Sequence, residues 1–162
     1  MKIALIRSEV HRKGGVERYV WLLSGELARR GHDVHLIARR CPELPHPSVT
    51  FHPVNIRGLF SFLKVLSFAS LASNAVEVGG FDVVHSCERI FSCDIYRAGE
   101  GVHREWLEVS ACHMPGWKSA LKRLDPLHRV LLRMEERIMR GGGARRVTAI
   151  SRRGAEEIRR HF

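Results

Sequence analysis

A chain of 162 residues has the size of one domain, and a hydrophobic content of 44% is enough for a real core. Its formal net charge of +10 points to acidic partners: nucleic acid, an anionic membrane surface or phosphorylated substrates. Cys41, Cys87, Cys93 and Cys112 show no CxxC spacing and read as reduced thiols of a cytoplasmic protein, and the start MKIALIRSEV lacks the apolar stretch of a signal peptide.

Ile3–Ile6 is a continuous apolar run, as expected of a central parallel strand. A polar loop follows and ends in Gly14-Gly15. From Val16 the apolar residues Val20, Leu23, Leu27 and Ala28 recur at helical spacing. Arg29-Arg30 suits the last turn and Gly31 the position just beyond it. Asp33–Ala38 is a second strand, which completes a βαβ unit with a right-handed crossover and a parallel sheet. Pro42, Pro45 and Pro47 mark a loop, and Val49–Val54 a short strand. Leu59–Val78 is mostly apolar, but Lys64, several serines and Asn74 make it a buried helix rather than a bilayer span. Strands are expected at Phe81–His85, Asp94–Ala98 and Arg146–Ile150. A basic helical segment runs from Trp117 to Arg140, divided at Asp125-Pro126 and stopped by Gly141–Gly143. Ser151 caps a last helix, Arg152–His161.

Strands alternating with helices predict an α/β, Rossmann-like open parallel sheet with helices on both faces. Ligands bind such sheets beyond the carboxyl ends of the strands, where Ser8–Gly15, His85–Glu88, Gly99–His103 and Ser151 fall. Two glycines without Cβ atoms let a ligand approach the backbone closely at Gly14-Gly15. The helix behind them offers unpaired N–H groups and a positive dipole end, a setting for an anion. A nicotinamide fingerprint would need a third glycine and an acidic residue about 20 positions on. The loop KGGVER lacks the glycine, and the second strand ends in Ala38-Arg39-Arg40. No GK[ST] phosphate loop is present. Cys87, Cys93, Cys112, His103 and His113 fit no standard zinc spacing.

Four passages together resemble the N-terminal domain of family 4 glycosyltransferases, which have the GT-B fold. They are GGVER at 14–18, LARRGHDVHLIA at 27–38, FDVVHS at 81–86 and VTAISRRGAEEIRRHF at 147–162. Their order and spacing cover nearly the whole chain. The passage CDIYRAGEGVH at 93–103 is further similar to the lipopolysaccharide core glucosyltransferase I branch. The resemblance implies transfer of a hexose from a nucleotide sugar to an acceptor hydroxyl, with retention at the anomeric carbon. It implies that residues 1–162 form one acceptor-side domain, that the donor-binding C-terminal domain lies outside this chain, and that the chain alone is inactive. Gly14 and Gly15 then face the donor diphosphate, with Arg18 and His85 as further ligand contacts. Glu100 and His103 are the candidates beside the reacting centre. Backbone dipoles and cations take the place of a metal, so no cofactor is expected. An acceptor on lipopolysaccharide or another cell-surface glycan or lipid-linked glycan would place the protein at the inner face of a bacterial cytoplasmic membrane.

The basic segment supports that placement. Leu121, Leu124, Leu127, Leu131, Met134 and Ile138 share one helical face, read as core. Trp117, Lys118, Lys122 and Arg123 form the expected membrane patch, with cations over lipid phosphates and the indole at the interface. Two other readings fit the charge: a basic α/β nucleic-acid-binding domain and a non-catalytic membrane-surface module. The two tyrosines and three tryptophans do not cluster as base-stacking platforms would, so no nucleic-acid partner is expected.

Overall fold

The computed structural model describes residues 1–112, 115, 122 and 124–162. Strands β1 (Lys2–Ile6), β2 (Asp33–Ala38), β3 (Thr50–Pro53), β4 (Val83–Ser86), β5 (Cys93–Ala98) and β6 (Ala144–Ala149) form one parallel sheet in the order β3-β2-β1-β4-β5-β6. The described helices are α1 (Val16–Arg29), α2 (Ser61–Gly79), α3 (His103–Cys112), α4 (Pro126–Met139) and α5 (Arg152–His161). The chain is therefore the expected Rossmann-like α/β sheet. Strand order reverses between β1 and β4, and there the loops leaving neighbouring strands diverge to opposite faces and open a crevice.

Alternate residues of the strands feed two cores. Leu5, Leu36 and Val34 point to one face and meet Val20 and Ala28 of α1. Ala4, Ile6 and Ile37 point to the other and meet Phe68 and Ala72 of α2 and Ile138 of α4. Strands buried on both faces need continuous apolar sequence, which IALI and LIA supply. Asp125 caps α4 by accepting from the Leu127 N–H at 2.8 Å, and Ser151 caps α5 by accepting from Gly154 N–H at 3.0 Å.

Three expectations shift. Helix α2 is half-buried, not buried: only Phe68, Ala69, Ala72 and Ser73 are enclosed, because the helix covers one sheet face and turns its other side outward. Helix α3 occupies His103–Cys112, a stretch for which no element was expected. In α4 the stripe is core at Met134 and Ile138, Leu127 and Leu131 are half-buried, and Leu124 before them is exposed. Leu121 lies outside the described residues. All four cysteines are free, and burial pushes the Cys93 thiol up to about 12 and Cys87 to about 11, so neither is a thiolate at neutral pH.

The two glycines before α1 differ. Gly14 has φ +87°, a left-handed conformation, and a Cβ there would lie 2.8 Å from Glu17 Oε2. Gly15 is the N-cap with φ −91°, and a Cβ there would meet open space. Gly14→Ala should cost roughly 1–2 kcal/mol, whereas Gly15→Ala should leave stability unchanged to about 0.5 kcal/mol, as read from urea melts.

Candidate functional site

The crevice between β1 and β4 is organised by Arg7, the first residue beyond β1. Its side chain is only 12% exposed. Nη2 donates to Glu17 in the first turn of α1 at 2.8 Å. Nη1 donates to Glu100, in the turn after β5, at 2.9 Å and to the Cys87 carbonyl at 3.2 Å, and lies 3.3 Å from Glu88. Burial alone would disfavour the charged guanidinium. Glu88, Glu100 and Glu17 outweigh it and hold the Arg7 pKa above its ordinary value. One side chain thus ties together α1 and the loops after β1, β4 and β5.

Arg89 extends the network. Nη1 reaches Glu100 at 3.4 Å and Nη2 reaches Glu135 of α4 at 3.3 Å. Glu135 is 1% exposed and also accepts the backbone N–H of His103, 3.0 Å from each carboxylate oxygen. It thereby places a negative charge at the N-terminus of α3, where the dipole favours one. The four carboxylates Glu17, Glu88, Glu100 and Glu135 surround two guanidiniums. Burial raises the Glu88 carboxyl above the usual range although Arg7 opposes it. For Glu100 burial is outweighed by Arg7 and Arg89, which hold it below that range.

Glu100 is 50% exposed and borders a cleft of about 360 Å³ between α2 and α4. Its polar side carries Ser8, Glu88, Arg89 and Glu100, and Ile56, Val65, Phe68, Leu127 and Leu131 form the apolar wall. Ser61 and Lys64 of α2 complete it. An apolar wall facing hydrogen-bonding groups suits a sugar ring, which offers C–H groups on its faces and hydroxyls at its edge.

The structure places the expected site residues in three groups. Glu100 is at the cleft. His103 is close by but turned into a stack: its Nε2 is 3.0 Å from His128 Nδ1, and its ring stacks on Trp106 with centroids 5.5 Å apart. Burial, then Arg89, His128 and Lys122, lower its pKa to about 4, so it is neutral at physiological pH. Gly14, Gly15 and Arg18 lie exposed at the start of α1, and Arg18 makes no ion pair among the described residues. The Glu17 carboxylate leans over Gly14 and is held below the usual range by its own backbone N–H and then by Arg7, burial opposing both. The positive end of α1 therefore already has an internal anion near it. His85, in β4, is directed to the α1 face beside Tyr19 and Arg97; its buried Nε2 has no partner among the described residues, and burial, then Arg97, lower its pKa.

Sequence reading missed Arg7, Arg89 and Glu135 as members of the site. Arg7 and Arg89 do carry a signal, since each follows a strand at the carboxyl edge of the sheet. Glu135 carries none, because it looks like any helix-surface acid. Trp117, Lys118 and Arg123 lie outside the described residues, and Lys122 has its Nζ 3.9 Å from the Trp106 ring centroid. Ligand atoms of Glu105, Glu108 and His161 lie within 4.8 Å of one another. Glu105 is already paired with His161 at 2.8 Å and Arg160 at 3.3 Å, so this group joins α3 to α5 as an ion-pair cluster.

Comparison with known proteins adds the family. The model of Glycosyltransferase Family 4 matches residues 13–162. No curated protein sequence matches the chain. Among solved structures the chain is similar to WaaG, a glycosyltransferase involved in lipopolysaccharide biosynthesis, with a TM-score of 0.81 at 16% identity. The likeness covers 99% of this chain and 41% of that one, so the chain spans about two-fifths of its length. At this identity the likeness speaks for the fold.

The depressed His103 pKa has a pH signature. In the unfolded chain the imidazole protonates below about 6.5, and in the fold only near 4. The unfolded state therefore binds the proton first, and stability should fall as pH drops from about 6.5 towards 4. His103→Gln should flatten that fall in thermal melts recorded across this range.

Proposed function

Because the chain belongs to glycosyltransferase family 4, we propose that it is the acceptor-side domain of an enzyme that transfers a hexose from a nucleotide sugar to a glycan or glycolipid hydroxyl. The observation that carries this reading is the cleft between α2 and α4, with the half-exposed Glu100 held ionised on one side and an apolar wall on the other. With Oε1 taken by Arg7 and Oε2 facing Arg89, the half-exposed carboxylate keeps lone pairs that accept a hydrogen bond from an acceptor hydroxyl and orient it, which is worth most when the geometry is preset. Arg7 and Arg89 preset it. The donor diphosphate is assigned to the exposed Gly14-Gly15 start of α1 beside Arg18, where it would share the helix N-terminus with the Glu17 carboxylate that Arg7 holds. Fixed N–H dipoles and cations there would stabilise the leaving group without a metal. Transfer with retention to a lipopolysaccharide-type acceptor is the finer form of this reading, and the donor's nucleotide would be held by a second domain outside this chain.

A lipid-bound acceptor implies contact with a bilayer, and the structure offers a surface for it. Leu59 is 85% and Phe60 59% exposed at the start of α2, Phe60 stacks on Phe62 with centroids 5.9 Å apart, and Leu124 is exposed at the start of α4. A groove between Phe60, Phe62, Pro126 and Leu127 joins this tip to the cleft through Ser61 and Leu127. Arg57 and Lys64 flank it, as a surface meeting anionic lipid requires. The net charge of +10 then serves phosphate and lipid rather than nucleic acid. Among the described residues no helix is long and apolar enough to cross a membrane.

In a full-length protein Glu100→Gln should lower kcat for sugar transfer by about 10²-fold or more, the scale of a lost positioned catalytic group. Unchanged kcat would remove Glu100 from the reaction. Leu59→Glu/Phe60→Glu should abolish flotation with vesicles containing anionic phospholipid and leave the melting temperature unchanged; retained flotation would place the membrane surface elsewhere.

A further inference from the structure

The cleft has an unusual charge balance for so basic a chain. Arg7 and Arg89, the half-buried cations beneath it, are committed to Glu17, Glu88, Glu100 and Glu135, four carboxylates against two guanidiniums. Glu88 and Glu100 both line the cleft. Arg89, the cation beside them, already shares itself between two carboxylates. Lys64 is the other lining cation; it is exposed, on α2, and makes no ion pair among the described residues. The polar side is therefore rich in acceptors: among the described residues its buried cations give their terminal nitrogens to carboxylates, and the Nε–H groups of Arg7 and Arg89, which lack partners, are shut off from the cleft's solvent.

On the reading of this cleft as the acceptor site, we infer that it takes an uncharged sugar ring through its hydroxyls and discriminates against phosphate esters. A hydroxyl donates to a carboxylate and gains a charge-assisted hydrogen bond. A phosphate has only acceptor oxygens to offer once ionised, and meets Glu88 and Glu100 as like charges in a partly desolvated space. To reach a buried cation rather than the exposed Lys64, it would have to draw Arg7 or Arg89 away from a carboxylate and leave that carboxylate half-buried without its partner, a costly exchange. The apolar wall of Ile56, Val65, Phe68, Leu127 and Leu131 adds contact with the C–H face of a ring, which an added phosphate does not improve. The enzyme would then act on a glycan position before that residue is phosphorylated, or on one that never is.

The test uses this chain with methyl glycosides of common hexoses and the corresponding hexose 6-phosphates, followed by methyl NMR shifts of Val65, Leu127 and Leu131. At least one methyl hexoside should move these methyls, and its 6-phosphate should bind at least about tenfold more weakly, a difference of about 1.4 kcal/mol. Raised salt should narrow the gap, since screening weakens the repulsion. Glu100→Gln, checked by its melting temperature, should also narrow it by removing one negative charge. A 6-phosphate that binds through the same methyls as tightly as the hexoside, or loses its binding in Lys64→Ala, overturns the inference and leaves the acceptor cleft standing. Should no sugar move these methyls, the cleft is not the acceptor site and both readings fall.

Discussion

The Arg7 guanidinium is the contact on which the rest of the site depends. Taking an arginine out of water is expensive, and the cost is met only where carboxylates surround it in good geometry. Arg7 finds Glu17, Glu88 and Glu100, which come from the first turn of α1, the loop after β4 and the turn after β5. None of these segments can drift without leaving a half-buried charge unpaired. Loops are ordinarily the mobile parts of an α/β domain, and here three of them are fixed at one point.

That arrangement explains how a strongly basic protein can present an acidic site. The positive charge of the chain is largely spent at its outside: Arg29 and Arg30 pair with Glu26 on the surface of α1, while Arg133, Arg137, Arg152 and Arg159 are exposed. Exposed pairs of this kind contribute little stability and serve mainly to shape the long-range field. Inside the crevice the balance reverses, because a carboxylate surplus around two guanidiniums leaves acceptor lone pairs facing the cleft. On the proposed reading the outer field would draw in anionic lipid or nucleotide, and the inner surface would then select among hydroxyls.

Much of the fold was legible because it rests on local patterns. The apolar runs of β1 and β2, the helical spacing from Val16 to Ala28 and the Ser151 cap each follow from neighbouring residues, and each stands where it was expected. The resemblance carried by four separate passages agrees with the family match over residues 13–162. The site was legible only in part. Glu100 and the two glycines sit at turns that sequence can locate. Arg7 and Glu100 are 93 residues apart and Arg89 and Glu135 are 46 apart, and no local rule pairs them. The apolar content of α2 concealed its exposed side, since composition counts hydrophobic residues and does not say which of them the sheet covers.

Helix α2 therefore carries two roles on one body. Phe68, Ala69, Ala72 and Ser73 anchor it to the sheet, Val65 lines the cleft, and Phe60 at its start is left to the surface. Because the cleft and the apolar tip are joined through Ser61 and Leu127, a bilayer holding the tip would also fix the height at which the cleft opens. An acceptor whose lipid end stays in the membrane could then reach Glu100 only with the sugar that lies at that height. Selection by distance from the membrane and selection by charge within the cleft would act on the same sugar residue, the first set by where α2 is anchored and the second by Glu88 and Glu100 on the loops it faces.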